Sequence, residues 1–148
     1  MAFELNEKEC IQLQNELDEF LRLSDAFSAL LCDKGGAVLV STGEEAENDL
    51  MAALTAGSFA ATRELASTVG EKDFEAVFHQ GVDRNLYISG VCEEVILLVV
   101  FEQDNTLVGL VRMMARKLGS QIRHILENID NQDEITATDP TLSFVLKK

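Results

Sequence analysis

The run from Val95 to Phe101 (VILLVVF) constrains the fold of this chain more than any other stretch. It contains no polar residue, and most of its side chains are β-branched or aromatic, which is typical of a strand. A strand without a polar face must be covered on both sides, as in the middle of a sheet with a layer on each face. We therefore predict a layered protein in which this segment is a central strand.

Four further strands are predicted from short apolar or alternating segments. Asp25–Asp33 and Ala37–Ser41 are separated by Lys34 and two glycines, which favours a β-hairpin because glycine adopts positive φ at no steric cost. Phe74–Gln80 and Asn85–Val91 follow later in the chain and are also joined by a short polar turn. Short connections make neighbouring strands antiparallel.

Three helices are predicted around these strands. The first runs from Glu7 to Leu23, with Asn6 as its N-cap and Glu9 as the partner in a capping box. The second is Leu50–Gly70, and the third is Asp104–Ile129, with an apolar stripe along its length. The fold class is therefore α+β, with the element order α-β-β-α-β-β-β-α and helices on both faces of a five-stranded antiparallel sheet.

The domain organisation follows from this order. We expect residues 1–24 to be an N-terminal helix packed on the domain, 25–130 to be the domain itself, and 131–148 to be a flexible polar tail. The tail ends in an apolar cluster, which either docks on a partner or packs against its own domain. Its members are Leu142, Phe144, Val145 and Leu146.

The second helix is unusually rich in small residues. One face is expected to hold the sheet, because apolar residues recur along it at helical spacing: Leu50, Leu54, Ala61, Leu65 and Val69. A strip beside it is nearly free of bulk and includes Ala53, Ala56 and Ala60, followed by Arg63. Such a strip allows another backbone to come close, which would make this helix an interface, although alanine is also simply the best helix former. Thr42 with Glu45, or Asn48 alone, is expected to cap this helix.

Charge limits the kinds of partner. The 148 residues carry a formal net charge of −14. Because phosphate contacts dominate nucleic-acid affinity, such a chain is not expected to bind DNA, RNA or anionic membranes. A protein with a basic surface is a more natural partner. The simpler alternative is that the charge only keeps the protein in solution. No apolar run is long enough for a membrane span and no signal peptide is apparent, so a cytoplasmic protein is expected.

The sequence signals no catalytic chemistry. It lacks the phosphate-binding, dinucleotide-binding, nucleophile-elbow and zinc-protease motifs. Cys10, Cys32 and Cys92 form no CxxC pair, and His79 and His124 have no local metal-ligand partners. We therefore expect no cofactor, no metal and no catalytic residue, and hence a protein that is not itself an enzyme.

Several segments, in this order and spacing, resemble the Roadblock/dynein light-chain family. The resemblance extends from about Phe27 to Ile129. Within the family, the chain is most similar to the bacterial gliding and polarity members. The segments are LTAGSFAAT at Leu54–Thr62, LA at Leu65–Ala66, VGEKDF at Val69–Phe74, FHQG at Phe78–Gly81, LYI at Leu86–Ile88, LLVVF at Leu97–Phe101 and LVGLVRM at Leu107–Met113.

The resemblance implies a profilin-like Roadblock fold that forms homodimers. The second helices of two subunits would lie side by side, and the two sheets would join into one. It also implies a partner, a small Ras-like GTPase that lies on the paired helices, with two copies of this protein for each GTPase. The GTPase would be activated by stabilisation of its switch region, without an arginine finger in trans. The process implied is bacterial cell polarity or motility, with concentration at a cell pole.

The same resemblance assigns partner contacts to the second helix. Ala56 and Ala60 match positions that contact the GTPase, and the helical geometry adds Gly57, Phe59, Arg63 and Glu64 as neighbours. Phe59 is larger than the family pattern leads us to expect. Arg63 is expected to contact an acidic or carbonyl group of the GTPase and not to act as an arginine finger. The C-terminal apolar cluster would reach round the GTPase.

Two other functions fit the same sequence. The first is a Roadblock-type scaffold or adaptor, which binds a GTPase or a motor subunit without changing GTP turnover. The second is a small-molecule sensor, for which the sequence provides no pocket signature.

Overall fold

The computed structural model describes residues 5–43, 47–102 and 107–138, and within the last range it describes side chains only as far as residue 128. In these ranges the elements are α1 (Glu7–Ser24), β1 (Ser28–Asp33), β2 (Val38–Gly43), α2 (Asn48–Thr68), β3 (Ala76–His79), β4 (Arg84–Gly90), β5 (Val95–Glu102) and α3 (Val108–Thr138). The order of helices and strands confirms the prediction.

The five strands form one antiparallel sheet in the order β2-β1-β5-β4-β3. β5 is the central strand, and every residue from Val95 to Phe101 is buried. Its alternate side chains enter two separate cores, with Leu97 and Val99 on one face and Leu98 and Val100 on the other. The prediction of a doubly buried central strand is therefore confirmed.

The two faces of the sheet are covered unequally. α1 and α3 pack against each other and cover one face through residues such as Leu13, Leu17 and Ile122, all fully buried. α2 alone covers part of the other face. This inequality leaves the outer side of α2 without a covering helix among the described residues, which bears on the candidate site below.

The turn between β1 and β2 is built around Asp33. Its Oδ1 accepts hydrogen bonds from the backbone N–H groups of Gly35 (3.0 Å) and Ala37 (2.9 Å). Gly36 has φ of +90°, and a Cβ there would approach Ala53 Cα to 3.0 Å. Glycine is thus required both for the turn conformation and for the close approach of α2.

Three details of the helices differ from the predictions. Asn6 does cap α1, since its side chain accepts a hydrogen bond from Glu9 N (2.9 Å), but Glu9 Oε2 has no partner among the described residues, so the capping box is incomplete. α2 is preceded by Glu47 without a side-chain cap, and Asn48 instead donates to Ser41 Oγ (3.1 Å). Asn48 is therefore not the cap of α2, and Glu45, the partner of Thr42 in the alternative cap, lies outside the described residues.

The third difference concerns the end of α3. The helix continues past Ile129 to Thr138, through residues expected to belong to the tail. The stretch from 130 to 138 contains no glycine or proline that would stop a helix. The apolar cluster Leu142, Phe144, Val145 and Leu146 lies outside the described residues, as do Asp104 and Asn105 at the predicted start of this helix.

Candidate functional site

α2 turns a narrow face of mostly small side chains toward the sheet. Its buried residues are Ala52, Thr55, Ala56 and Phe59, which recur at the spacing of one helical face. The small side chains allow the helix axis to approach the strands closely. Phe59 fills the remaining space beside Gly90, where an added Cβ would lie 3.0 Å from the Phe59 Cζ.

The prediction for the sheet-facing side of α2 was therefore wrong. Leu50, Leu54, Leu65 and Val69 are 52%, 63%, 65% and 72% exposed, and Ala61 is exposed between them. Apolar residues recur at helical spacing on both faces of α2, so the spacing fits either face against the sheet. The face with the small residues makes the closer contact with the sheet. The large apolar residues are left on the surface.

These exposed residues form a continuous stripe along the outer side of α2. The outer stripe consists of Leu50, Leu54, Gly57, Ala61 and Leu65, spaced by three or four residues. Soluble monomers rarely expose so long an apolar surface on one element, and such surfaces commonly bind another protein. Gly57 lies at the centre of the outer stripe, and an added Cβ there would meet nothing within 4 Å, so a second backbone has room to approach.

A second exposed strip lies beside the outer stripe. It contains Ala53 and Ala60, and Arg63 and Glu64 lie toward its C-terminal end. Four of the six predicted partner residues, namely Gly57, Ala60, Arg63 and Glu64, are thus exposed on the outer part of α2.

The other two predicted partner residues are buried within the subunit. Ala56 and Phe59 are 7% and 8% exposed and belong to the core between α2 and the sheet. The ring of Phe59 also packs on Phe74, with centroids 4.8 Å apart. In the single subunit, both side chains therefore lie beneath the outer surface of α2 and support the helix from the sheet side.

The two edges of the sheet differ. At the β2 edge, α1 provides polar contacts, because Gln14 Nε2 donates to Ser41 O (2.8 Å) and Thr42 Oγ1 donates to Asp18 Oδ1 (2.5 Å). At the other edge, β3 pairs with β4 alone among the strands of the described residues, and it carries no Lys, Asp, Glu or Pro. Charged side chains and covering contacts are the usual protection against pairing with another chain, so β3 is the edge that is open to it.

The α2 face of the sheet beside this edge is only partly covered. Val77 on β3 and Leu86 on β4 are half-buried next to the core beneath α2. An additional helix could lie here, beside α2 and on the same face of the sheet. The outer stripe of α2, these two side chains and the β3 edge thus border one apolar region.

The described residues offer little for chemistry on a small molecule. Among them, no group of three or more His, Cys, Asp or Glu side chains is placed to hold a metal ion. Cys32 is buried, which raises the pKa of its thiol to about 12 and makes it a poor nucleophile. Within the same part of the chain, no helix is sufficiently long and apolar to cross a membrane.

The fold agrees with the comparison to known families. The family model described as the Roadblock/LC7 domain matches residues 13–101. This chain belongs to the Roadblock/LC7 family, and the resemblance inferred from its sequence segments is confirmed.

Solved structures refine this assignment. The chain is similar to MglB of Myxococcus xanthus, with 31% identity, 85% of this chain and 96% of that chain covered, and a TM-score of 0.78. It is similar to the gliding protein MglB of Thermus thermophilus, with 28% identity, coverage of 86% and 96%, and a TM-score of 0.74. An MglB with a tetrameric arrangement matches with 29% identity, coverage of 86% and 96%, and a TM-score of 0.81.

Proposed function

We propose that this protein is a homodimeric regulator of a small Ras-like GTPase of the MglA type, which it activates. The observation that carries the proposal is the outer stripe of α2, whose leucines are more than half exposed on the side facing away from the sheet. The family assignment and the similarity to MglB over most of the chain support it. Bacterial polarity or gliding motility is the proposed process, with the protein in the cytoplasm and concentrated at a cell pole.

In the proposed dimer, two α2 helices lie side by side on the same face of a joined sheet. The outer stripes would cover each other, with Gly57 and Ala61 at the closest approach of the two backbones and leucines on either side. Val77 and Leu86 would be covered by the twin helix. Pairing of the two β3 strands would satisfy the open edge, which is a common way for sheets to join between subunits.

The GTPase is proposed to bind across the strip that the helix pair leaves exposed, with two copies of this protein for each GTPase. Ala60 would admit its switch region at close range, with Gly57 at the border between this strip and the dimer contact, and Glu64 and Arg63 would make polar contacts beside them. Ala56 and Phe59 would support this surface from below.

The proposed mechanism is preferential binding to one conformation of the switch. A protein that binds the hydrolysis-competent arrangement more tightly than the others increases its population, and the GTPase supplies its own catalytic groups. Arg63 would contact an acidic or carbonyl group. Replacement of Arg63 by alanine should therefore weaken binding without removing acceleration at saturating concentration, whereas removal of an arginine finger costs a factor of about 10³ or more.

A pull-down of the GTPase in its GTP-loaded and GDP-loaded states tests the surface. Ala60→Arg would place a charge in a close-packed contact and should weaken binding about a hundredfold or more. Gln121→Arg is the matched control, since it adds the same charge to an exposed position of α3. Equal binding by both variants would contradict the proposed surface, and binding without faster turnover would identify a scaffold.

The C-terminal cluster Leu142, Phe144, Val145 and Leu146 is proposed to add a second contact to the GTPase. A chain truncated after residue 138 tests this part separately. It should retain the dimer and the α2 contact and should bind the GTPase more weakly.

A further inference from the structure

A cleft of about 330 Å³ lies on the face of the sheet opposite α2, between α3, β4 and Glu75, which precedes β3. Ala115 and Gly119 of α3 are small, which leaves room for the cleft, and Gly90 of β4 also lines it. Its polar lining comes from Arg116, Arg123, Tyr87, Ser89 and Glu75. The cleft thus combines two guanidinium groups and two hydroxyl groups in one concave site.

Arg116 uses one edge of its guanidinium group to hold a carboxylate. Its Nε donates to Glu75 Oε1 and its Nη2 donates to Glu75 Oε2 (2.7 Å), so both oxygens are engaged. Arg112 adds a longer contact to Glu75 Oε2 (3.5 Å). Such a two-point arrangement matches a planar carboxylate in particular.

Arg123 supplies a second positive charge on the same side of α3. Its Nη1 donates to the carbonyl of Val91 (2.8 Å), which fixes the guanidinium at the end of the cleft. Because a carbonyl oxygen carries no net charge, this contact does not compensate the charge of Arg123. The positive charge of the three arginines near the cleft thus exceeds the negative charge of the Glu75 carboxylate. This local excess contrasts with the net charge of the chain, which is −14.

The hydroxyl group of Tyr87 is a donor with no hydrogen-bond partner among the described residues. The residue is 3% exposed and lines the cleft. The charges of Glu75, Arg112 and Arg116 all act on its ionisation. Burial, the largest cause, and the charge of Glu75 raise its pKa, which keeps the hydroxyl protonated and able to donate. Because Tyr87 lines the cleft, its hydroxyl group can donate to a ligand group that enters there.

The geometry points to a carboxylate-binding site in this cleft, which takes an acidic side chain of a protein partner and which Glu75 occupies in the free protein. Arg116 would provide the two-point contact, Tyr87 a further hydrogen bond, and Arg123 the additional charge. Glu75 lies just before β3 and is exposed to solvent, so an incoming carboxylate can displace it. The site lies on the other side of the sheet from α2 and does not depend on the proposed GTPase contact.

Side-chain NMR of the full chain tests the site with a small dicarboxylate. Succinate is titrated at constant ionic strength while the Nε–Hε resonances of Arg116 and Arg123 are followed, and inorganic phosphate is titrated in a parallel series. Glu75→Gln removes the internal competitor. Glu71→Gln is the matched control, because it makes the same charge change at an exposed position outside the cleft lining.

Glu75→Gln should bind succinate about tenfold more tightly than Glu71→Gln, because a succinate carboxylate then meets an Arg116 guanidinium group that no internal carboxylate occupies. Tyr87→Phe, added to Glu75→Gln, should reverse most of this gain while the ring remains in the core. Phosphate should bind more weakly than succinate. Equal affinities of Glu75→Gln and Glu71→Gln, no effect of Tyr87→Phe, or tighter binding of phosphate than of succinate would each overturn the proposal.

Discussion

The ring of Phe59 on α2 packs against the ring of Phe74, with the centroids 4.8 Å apart and the planes inclined by 45°. This contact joins the middle of α2 to the segment that leads into β3. The next residue, Glu75, is held by Arg116 on the opposite side of the sheet. The start of the edge strand is therefore fixed from both faces, and α2 and β3 can present one rigid surface to a partner.

Gly90→Ala tests the packing around Phe59. The added methyl carbon would lie 3.0 Å from Phe59 Cζ, so the ring must move, and we expect a loss of about 1–2 kcal/mol in the free energy of unfolding. Urea unfolding followed by circular dichroism measures it. Gly109→Ala is the control, since nothing lies within 4 Å of its added carbon and a helix gains about 0.5–1 kcal/mol from this change. Unchanged stability of Gly90→Ala would contradict the packing described.

Leu54→Glu tests the role of the outer stripe. Because Leu54 is 63% exposed, the change should leave the subunit folded while it places charges inside the proposed dimer contact. Sedimentation at micromolar concentration should show a dimer for the wild type and a folded monomer for the variant. Ile11→Glu, at a residue 53% exposed on α1, should remain dimeric. An unfolded Leu54→Glu variant would mean instead that this leucine packs in the core.

The pH dependence of stability tests the contact between Glu75 and Arg116. Hydrogen bonds from Arg116, with smaller contributions from the charges of Arg116 and Arg112, lower the pKa of Glu75 from 4.5 to about 2. Because the folded-state pKa is the lower one, the stabilisation is complete above about pH 4.5 and is lost as the pH falls toward 2.

The size of this effect is limited by solvent, because the Glu75 side chain is 46% exposed. The stabilisation relative to Glu75→Gln should be below about 1 kcal/mol at pH 6 and should shrink with added salt. The measurement is the difference in unfolding free energy between the two proteins as a function of pH. A difference that stays constant from pH 6 to pH 2 would contradict the contact.

Thiol titration tests the placement of the three cysteines. Cys32 is buried and its thiol pKa is raised to about 12, while Cys10 and Cys92 are half-buried. A disulfide reagent at pH 8 should therefore modify at most two thiols in the native protein and the third only after unfolding. Rapid reaction of all three in the folded state would place Cys32 nearer the surface.

Most of the fold was predictable because local patterns determine it. The run from Val95 to Phe101 defined the central strand, and the glycines after Lys34 defined the hairpin. The contact between Glu75 and Arg116 was not predictable, because the two residues are 41 positions apart and meet across the edge of the sheet. No periodic signal indicates such a pair.

The candidate site was predictable in its location but not in its orientation. The spacing of Leu50, Leu54 and Leu65 identifies an apolar face of α2, yet periodicity does not say whether that face meets its own sheet or another chain. The structure resolves this through Ala52 and Ala56, whose small size lets α2 approach the strands. The large residues were therefore assigned to the wrong side, while the exposed position of Ala60 agrees with its assignment to a surface.

Single-turnover GTP hydrolysis tests the proposal that the α2 surface of the dimer activates a GTPase. The GTPase of the MglA type from the same organism is loaded with GTP, and its hydrolysis is timed with and without a saturating excess of this protein. Hydrolysis should be faster with the wild type and with Gln121→Arg, and it should stay at the basal rate with Ala60→Arg. A basal rate in the presence of the wild-type dimer, or full acceleration by Ala60→Arg, would contradict it.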